Sequence, residues 1–329
     1  MQAAAIAIAP SFNDFKAYLN KALYDPFVID LKDATLMEVI RACAKAKSKM
    51  HRNYPKSLCC LIYNLGLIES QYGLTLMPRQ ITDIFWDYFV SFCQERGLKT
   101  STIIAICEQL RSILNWAVKH NATVSSTYTD FHIPQVHNQE IALTAADISR
   151  ITYFDIDLFY EGRRKDFIEK MHRIRDMFVL STALGQRHSD MVRIDKSCFE
   201  RNIFRISQQK TGNLAVVDID KFSVEPGVIY RILERYKYHA PYEGGIGNYN
   251  YALHSLMHDI GLVAPVRTEE RVNGKLEITI TPKYKLISSH TARRTFATIN
   301  VLRGYNIHEI KRATGHADLR SLDRYICDE

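Results

Sequence analysis

The sequence predicts a mainly α-helical protein with small β-hairpins, arranged in two domains. From Ala34 to His120, apolar residues recur at the spacing of amphipathic helices packed on one core. Residues 121–139 lose this pattern and are rich in Thr, Ser, Asn and His, which is typical of an interdomain linker. Beyond them, helical patterns alternate with short runs in which every second residue is apolar. A chain of 329 residues is long enough to bury two cores.

The first domain is predicted to contain four helices, each beginning near a turn or capping residue. We expect these helices at Thr35–Ala46, Ser57–Gln71, Thr82–Glu95 and Thr102–Lys119. The last one carries an apolar stripe that we expect to face the core, namely Ile106, Leu110, Ile113, Leu114 and Val118. A further helix is expected near Asn13–Leu23, inside a short N-terminal extension.

Basic residues cluster where the first two of these helices meet. They are Lys45, Lys47, Lys49, His51, Arg52 and Lys56. Such a cluster suits contacts with phosphate groups, but a solvated basic loop has the same composition. The formal charge of +7 is compatible with a polyanionic partner without requiring one, because many basic proteins bind no nucleic acid.

The second domain is predicted to begin with a helix at Thr144, where Thr144 and Asp147 form a shortened capping box. A β-hairpin follows, with Lys210 at the rim of its turn, and a second hairpin is expected around Asn273-Gly274. The remaining predicted helices are Arg163–Ala183, Val228–Tyr238 and Tyr249–Ile260, the last ended by Gly261.

Several classes of protein fit the composition poorly. The seven cysteines form neither an even secreted framework nor a C-x-x-C pair, which favours reduced thiols in a cytoplasm. No stretch is long and apolar enough for a membrane, and the first ten residues lack the positive flank of a signal peptide. His254 and His258 have the i,i+4 spacing of a metal pair, but with no third ligand at suitable spacing we expect packing or surface roles and no metal.

The last forty residues carry the strongest chemical signal. They contain His290-Thr-Ala-Arg293, then Gly315-His316, then Tyr325. Together these residues supply a phosphate clamp, proton-transfer groups and an oxygen nucleophile, which suffice to break a phosphodiester without a metal or cofactor.

Local patterns around these residues predict how they are placed. Ser288 or Ser289 can cap a helix that places His290 and Arg293 on one face, while Arg294 points elsewhere. Gly315 is expected to end a helix at Ile307–Thr314 and to leave His316 exposed.

These motifs resemble the carboxyl-terminal signature of the tyrosine recombinase (integrase) family, whose pattern is H-x-x-R, G-H and Y. The family also has an upstream T-G-x-R-x-S-E/D motif. Leu184-Gly-Gln-Arg187-His-Ser-Asp190 resembles it, with leucine in the place of threonine. The resemblance makes Arg187 a catalytic arginine, Asp190 the acidic residue that holds its guanidinium, and Lys210 the catalytic lysine of the hairpin.

The resemblance implies a catalytic set of Arg187, Lys210, His290, Arg293, His316 and Tyr325. Tyr325 would cleave DNA through a 3′-phosphotyrosyl bond, and a homotetramer would exchange strands at double-stranded recombination sites, with accessory DNA-bending proteins as further partners. The implied organisation is an extension at residues 1–30, an α-helical core DNA-binding domain at 31–120, a linker at 121–142 and a mixed α/β catalytic domain at 143–329. Many relatives have a longer segment after the tyrosine, which here has only four residues after it.

Two other functions remain open at this point. Type IB topoisomerases use the same chemistry to relax DNA without exchanging strands, and a catalytically silent DNA-binding protein could have the same fold. Among recombinases, the integrase or excisionase of a mobile element and a DNA invertase both fit, acting in a bacterial cytoplasm or nucleoid, or encoded by a phage that acts there.

Overall fold

The computed structural model describes residues 31–49, 54–130, 140–272 and 275–326. The chain divides into two compact units, one formed by residues 1–138 with 269–278 and the other by residues 139–268 with 279–329. The mainly helical fold class with small antiparallel sheets is confirmed. The predicted helix near Asn13–Leu23 and the turn at Asn273-Gly274 lie outside the described residues.

The described part of the first unit is helical. The four predicted helices are present with ends within two residues of the prediction, and a single-turn helix separates the first from the second. Thr35 forms a full capping box with Glu38, and Thr82 caps the third predicted helix through the backbone N–H of Phe85. These elements are Leu36–Ser48 (α1), Tyr54–Ser57 (α2), Cys59–Tyr72 (α3), Asp83–Glu95 (α4) and Thr100–Lys119 (α5).

Helix α5 buries a slightly different face from the one predicted. Val118 is 47% exposed, whereas Ala117 is buried. At 100° per residue, Val118 lies about 80° around the helix from Leu110, while Ala117 lies about 20° from it. The buried stripe is therefore Ile103, Ile106, Cys107, Leu110, Ile113, Leu114 and Ala117.

The described start of the predicted linker packs on the first unit. Ala122, Val124 and Tyr128 contact its core, and the Tyr128 carbonyl accepts a hydrogen bond of 3.2 Å from the indole N–H of Trp86. Residues 131–139 lie outside the described residues. The domain boundaries derived from the sequence remain a prediction.

The second unit surrounds one long central helix. Lys165–Leu184 packs against several of the other helices and supplies Met177, Phe178 and Leu184 to the core. The helices of this unit are Ala145–Tyr153 (α6), Ile156–Phe159 (α7), Lys165–Leu184 (α8), His188–Met191 (α9), Ile219–Phe222 (α10), Pro226–Arg235 (α11), Ile246–Asp259 (α12), Lys283–Leu286 (α13), Ser289–Leu302 (α14), Ile307–Thr314 (α15) and Leu319–Asp323 (α16).

The described residues also form two small sheets. Phe199–Glu200 (β1), Ile203–Ser207 (β2) and Leu214–Asp218 (β3) form an antiparallel sheet in that order, in which Phe204 pairs with Val217 and Ser207 with Leu214. The described strands of the second predicted hairpin, Pro265–Val272 (β4) and Lys275–Pro282 (β5), pair with each other. The sheet side chains Phe204, Ala215 and Val217 are buried in the same core as helix α8.

Local signals explain most of the helix ends. Thr144 and Asp147 form the predicted capping box, with both hydrogen bonds at 3.1 Å. Helix α11 ends at Arg235 rather than at Tyr238 as predicted, because Lys237 and Tyr238 adopt positive φ angles of 51° and 64°, which no α-helix contains.

Two sequence-based expectations concern metals and membranes. His258 lies beside Asp259, with Nδ1 at 3.2 Å from the carboxylate, and its ring packs against Tyr284. Among the described residues, no group of three or more His, Cys, Asp and Glu side chains could hold a metal ion. None of the helices described in the structure is both long and apolar enough to cross a membrane.

Candidate active site

The start of helix α14 places two of the predicted functional side chains. Ser288 is the N-cap, and its hydroxyl accepts a hydrogen bond of 3.2 Å from the backbone N–H of His290. His290 and Arg293 are three residues apart and therefore lie on the same face of the helix, one turn from each other. Arg294 forms a salt bridge with Glu140, but it does not point away from the site as predicted, because its guanidinium carbon lies 5.8 Å from the ring centre of Tyr325.

Arg293 is a fully buried charge of the site. Its side chain is 0% exposed, donates to the Gly185 carbonyl at 3.1 Å and donates to Nε2 of His316 at 2.9 Å. Burial and the nearby positive charge of Arg187 lower the pKa of Arg293 to about 9, which leaves it protonated at neutral pH. Its Nε atom has no hydrogen-bond partner among the described residues, so this N–H remains an unused donor.

The contacts of His316 fix its tautomer. A guanidinium can only donate, so Nε2 of His316 must accept from Arg293 and carry no proton. The proton then lies on Nδ1, which donates to the Thr314 hydroxyl at 2.8 Å, while that hydroxyl donates to the Ile310 carbonyl at 2.7 Å. His316 is 7% exposed. The predicted exposure of His316 is therefore wrong, because the turn after Gly315 directs the ring inward onto Arg293 rather than out to solvent.

Tyr325 lies against both imidazoles and the buried arginine. Its hydroxyl is 2.7 Å from Nε2 of His290, its ring is 4.6 Å from the His316 ring, and the guanidinium carbon of Arg293 is 5.3 Å from its ring centre. The Thr298 hydroxyl donates to the Tyr325 carbonyl at 3.3 Å, which ties the segment after helix α16 to helix α14. The phenol is thus held at the arginine and histidine cluster.

Arg187 enters the site from the break between helices α8 and α9. Gly185 ends α8 in the left-handed conformation with φ of 64°, and Arg187 is the N-cap residue of α9. The Arg187 guanidinium donates to Oε1 of Gln208 at 2.7 Å. A glycine is required at position 185 because a Cβ atom there would lie 2.6 Å from the ring of Phe296.

Asp190 forms its hydrogen bonds with the β2–β3 hairpin and Arg193, and not with the Arg187 guanidinium. Its carboxylate is buried and accepts from the backbone N–H of Gln209 at 2.7 Å and from Arg193 at 3.4 Å. The sequence-based expectation that Asp190 bonds the Arg187 guanidinium differs from the contacts in the described residues, since Arg187 bonds Gln208 instead. Asp190 supports the site through the strand end that carries Gln208 and Lys210.

Lys210 lies in the turn between β2 and β3, as predicted. Hydrogen bonds across this turn join the Gln208 N–H to the Asn213 carbonyl at 2.9 Å and the Gly212 N–H to the Gln208 carbonyl at 2.8 Å. The Lys210 side chain is exposed, which leaves its ammonium group accessible to a ligand. Its charge is near enough to the site to contribute to the electrostatics of His290.

The site combines several cations with two neutral imidazoles. Burial lowers the pKa of His290 to about 4, with further lowering by Arg294, Arg293, Arg187 and Lys210. Burial and the two catalytic-motif arginines lower the pKa of His316 to about 3. At neutral pH both imidazoles are therefore uncharged. The half-buried Arg187 and the exposed Lys210, with the buried Arg293 behind them, give the site a positive potential suited to an oxyanion or phosphate group.

The basic cluster of the first unit is described only in part. His51 and Arg52 lie outside the described residues, and Lys45 is half-buried. Lys47 donates to the hydroxyls of Tyr54 at 3.2 Å and Ser112 at 3.0 Å, so part of its donor capacity is used internally. Lys49 and Lys56 are exposed.

Three polar residues of the site were not predicted from the sequence. Gln186, Gln208 and Thr314 are buried and form hydrogen bonds that connect the elements carrying Arg187, Lys210 and His316. A signal for Gln208 exists, because Phe204 and Ile206 occupy the buried face of β2 and position 208 continues the same two-residue alternation. A polar residue at a buried strand position needs partners.

The fold is shared with solved structures of DNA-recombining proteins. A lambda integrase (75–356) dimer bound to a COC′ core site is 14% identical with a TM-score of 0.63, over 89% of this chain and 95% of that chain. The Tn1549 transposon integrase in complex with transposon right end DNA is 14% identical with a TM-score of 0.61, over 90% and 96%. The XerH site-specific recombinase bound to palindromic difH is 12% identical with a TM-score of 0.60, over 97% and 93%.

At the level of sequence, no protein-family model and no curated protein matches the chain. The fold nevertheless extends over about nine-tenths of the chain in each of these comparisons. The protein therefore has the fold of the tyrosine recombinases and integrases.

Proposed function

We propose that this protein is a site-specific tyrosine recombinase, which cleaves and rejoins DNA through a 3′-phosphotyrosyl intermediate. One observation carries the proposal, namely that the Tyr325 hydroxyl lies 2.7 Å from a neutral His290 imidazole beside the buried guanidinium of Arg293. A positioned oxygen nucleophile, a proton acceptor and a fixed cation are the groups that phosphoryl transfer requires. DNA as the substrate is supported by the DNA-bound integrases and recombinase that share the fold.

In the cleavage step, the Tyr325 oxygen attacks the scissile phosphorus and its proton passes to Nε2 of His290. The low pKa of His290 keeps its imidazole uncharged in the absence of substrate, and Nε2 is the acceptor in the tautomer that carries its proton on Nδ1. A bound phosphodiester adds one negative charge among the cations, which offsets the Coulombic part of that lowering and makes His290 a stronger base. The proton acceptor thus strengthens when the substrate is present.

The cations of the site have separate roles in this proposal. Arg187 and Arg293 neutralise the non-bridging oxygens as charge builds up in the transition state. Lys210, on its exposed turn, protonates the leaving 5′ oxygen as the bond between phosphorus and that oxygen breaks. Nε2 of His316 accepts from Arg293 and orients that guanidinium towards the phosphate.

Rejoining reverses these steps. A 5′ hydroxyl from a partner strand attacks the phosphotyrosyl bond, Lys210 takes up its proton, and Tyr325 regains a proton from His290. The number of phosphodiester bonds is conserved, so the exchange needs no nucleotide hydrolysis.

The assembly that fits this chemistry is a homotetramer on two recombination sites. A lambda integrase tetramer bound to a Holliday junction has the same fold, with a TM-score of 0.62. The α-helical first unit would bind the core site, with the exposed Lys49 and Lys56 contacting phosphates. A mobile-element integrase is the favoured biological role, followed by a DNA invertase.

The test is capture of the covalent adduct. Wild type, Tyr325→Phe and Tyr251→Phe are each expressed in cells, trapped in denaturant, and the DNA that remains attached to protein is sequenced. Tyr251 is an exposed tyrosine distant in sequence from the motifs and serves as the matched control. We expect adducts at a few inverted-repeat loci for wild type and Tyr251→Phe, and a loss of at least 100-fold for Tyr325→Phe, because the phenol oxygen is the nucleophile.

The other outcomes identify the alternative functions. Adducts scattered over the genome would point to a topoisomerase that relaxes DNA, and adducts that persist in Tyr325→Phe would refute the choice of nucleophile. A wild type that forms no adduct with genomic DNA, yet binds DNA, would point to a catalytically silent DNA-binding protein.

The role of Lys210 has its own test. Lys210→Ala is expected to slow cleavage by about 10²–10⁴-fold, the usual contribution of a general acid. A DNA substrate with sulfur in place of the leaving 5′ oxygen should restore most of that rate, since a thiolate leaves without protonation. An equal defect on the oxygen and sulfur substrates would contradict the proposed role.

A further inference from the structure

We infer that Gln208 is a positioning residue, which sets Arg187 and the turns carrying Lys210 and His316 in one arrangement for the reaction. The inference rests on the proposed function, because it assigns Gln208 its effect through these three groups. Gln208 follows strand β2 on the buried face of the hairpin and is 2% exposed.

Both polar atoms of the Gln208 amide are used twice. The Oε1 atom accepts from Arg187 Nη1 at 2.7 Å and from the Thr211 hydroxyl at 3.1 Å. The Nε2 group donates to Gln186 Oε1 at 3.0 Å and to the Thr314 carbonyl at 2.6 Å. Two acceptor positions and two donors are the full capacity of a primary amide, so every part of this side chain is engaged.

The four partners lie on three segments of the fold. Arg187 and Gln186 belong to the break between α8 and α9, Thr211 to the turn that carries Lys210, and Thr314 to the last residue of α15. Gln186 extends the connection, because its amide donates to the carbonyls of Leu184 at 2.6 Å and Ala313 at 2.8 Å. One amide thus joins the three segments from which three functional groups project.

Gly315 adds a steric reason for this arrangement. Helix α15 ends at Gly315 in the left-handed conformation, and a Cβ atom there would lie 2.6 Å from Cδ of Gln208. The absence of a side chain at position 315 therefore lets the Gln208 amide reach the Thr314 carbonyl. The next residue, His316, accepts from Arg293, so the same turn also sets the second arginine.

A glutamine fits this position better than its close relatives. Asparagine is one methylene shorter and could not span from β2 to α15. A glutamate carboxylate would accept from Arg187 but, as an anion, would place an oxygen against the Thr314 carbonyl without a donor. Methionine has a similar unbranched length and provides none of the four bonds, which makes Gln208→Met a suitable test with little change in volume.

The test compares cleavage of two substrates at the recombination site that adduct capture defines. One carries a normal scissile phosphate, and the other a methylphosphonate, in which an uncharged methyl group replaces one non-bridging oxygen. The neutral substrate needs less positive charge in the transition state, so misplacement of Arg187 should slow it less. The ratio of the two rates is independent of the fraction of folded enzyme.

We expect Gln208→Met to slow cleavage of the phosphate substrate by about 100-fold, as a misplaced catalytic group does. The ratio of phosphate to methylphosphonate rates should fall at least tenfold, in the same direction as for Arg187→Ala. Gln209→Met is the matched control, because its side chain is exposed and only its backbone N–H contacts Asp190. A Gln208→Met enzyme that is slower on both substrates by the same factor would overturn the inference.

A second variant covers the case in which Gln208→Met does not fold. Gln208→Glu keeps the shape of the side chain and the acceptor for Arg187, but loses the amide donor to Thr314. Its rate on the phosphate substrate should fall at least tenfold, since the His316 turn is no longer tied to the hairpin. A wild-type rate for Gln208→Glu would refute the joint role of the amide.

A measurement without DNA separates this inference from the proposed function. The ¹⁵N-labelled Nε–H resonance of Arg187, assigned with Arg187→Lys, reports directly on the guanidinium environment. It should shift in Gln208→Met and remain in place in Gln209→Met. An unchanged resonance refutes the positioning of Arg187 by Gln208 even if wild type forms adducts, whereas a shifted resonance with no wild-type adduct refutes only the proposed function.

Discussion

The substitution Gly185→Ala tests how tightly helix α8 and helix α14 are packed at the site. Gly185 has a φ angle of +64°, and a Cβ atom there would meet Cδ1 of Phe296 at 2.6 Å and Cγ at 2.8 Å. The Phe296 ring is 1% exposed and packs against the Phe222 ring at 5.6 Å, so moving it out of the way would disturb the packing of the core. The substitution therefore combines backbone strain with overpacking.

The two costs can be estimated separately. A left-handed conformation costs a residue with a side chain about 1–2 kcal/mol. Overpacking a filled core costs about 1–3 kcal/mol in addition. We therefore expect Gly185→Ala to reduce the free energy of unfolding by about 2–5 kcal/mol, and Gly185 also supplies a carbonyl to Arg293, so cleavage should slow as well.

Gly304→Ala isolates the strain from the collision. Gly304 lies in the same unit with a φ angle of +78°, and a Cβ atom there would meet nothing within 4 Å. The Gly304→Ala protein should therefore lose only about 1–2 kcal/mol in its free energy of unfolding. Both variants replace glycine with alanine, so effects on the unfolded chain cancel in the comparison. Urea unfolding measures the free energy of unfolding of each variant, and the two values can be compared directly when the denaturant slopes are equal. Equal losses for Gly185→Ala and Gly304→Ala would refute the collision with Phe296.

Two further predictions concern the histidines of the site. Because the pKa of His290 is lowered to about 4 and that of His316 to about 3, the unfolded chain binds more protons than the folded one below the ordinary histidine pKa of about 6.5. The free energy of unfolding should therefore fall as the pH falls from about 6.5 towards 4, and His290→Gln should show a shallower decline in urea unfolding across that range. Thr314→Val removes the acceptor of the His316 Nδ1 proton, and a buried donor left without a partner should reduce the free energy of unfolding by about 1–3 kcal/mol in the same assay. A Thr314→Val protein as stable as wild type would contradict the tautomer assigned to His316.

The elements of the fold follow from signals within a few residues of one another. Gly315 ends helix α15 as predicted and Asn306 caps its start, because a left-handed glycine and a capping side chain are local features. Thr144 with Asp147 and Ser288 mark helix starts for the same reason. The prediction extends helix α11 too far, to Tyr238, because neither Lys237 nor Tyr238 is a residue type that marks a helix end.

The spacing of His290 and Arg293 within one helical turn was equally predictable. So was the place of Lys210 in a β-turn, because the alternation of apolar residues on both sides sets the hairpin register. These relations depend on the periods of the helix and the strand, which the sequence displays directly. The residue types are compatible with phosphoryl transfer, and it is the resemblance to the tyrosine recombinase motifs that gives their order a meaning.

Only the tertiary structure decided how these groups meet and which of them are buried. His316 lies inside the protein rather than on its surface, because the turn after Gly315 directs its ring onto Arg293. Arg293 is itself held by the carbonyl of Gly185, which is 108 residues away in the chain. Arg187 bonds Gln208 and not Asp190 because the end of strand β2 reaches between α9 and α15. Contacts between distant segments depend on how the elements pack and on which buried polar groups become hydrogen-bond partners. Neither produces a periodic pattern in the sequence.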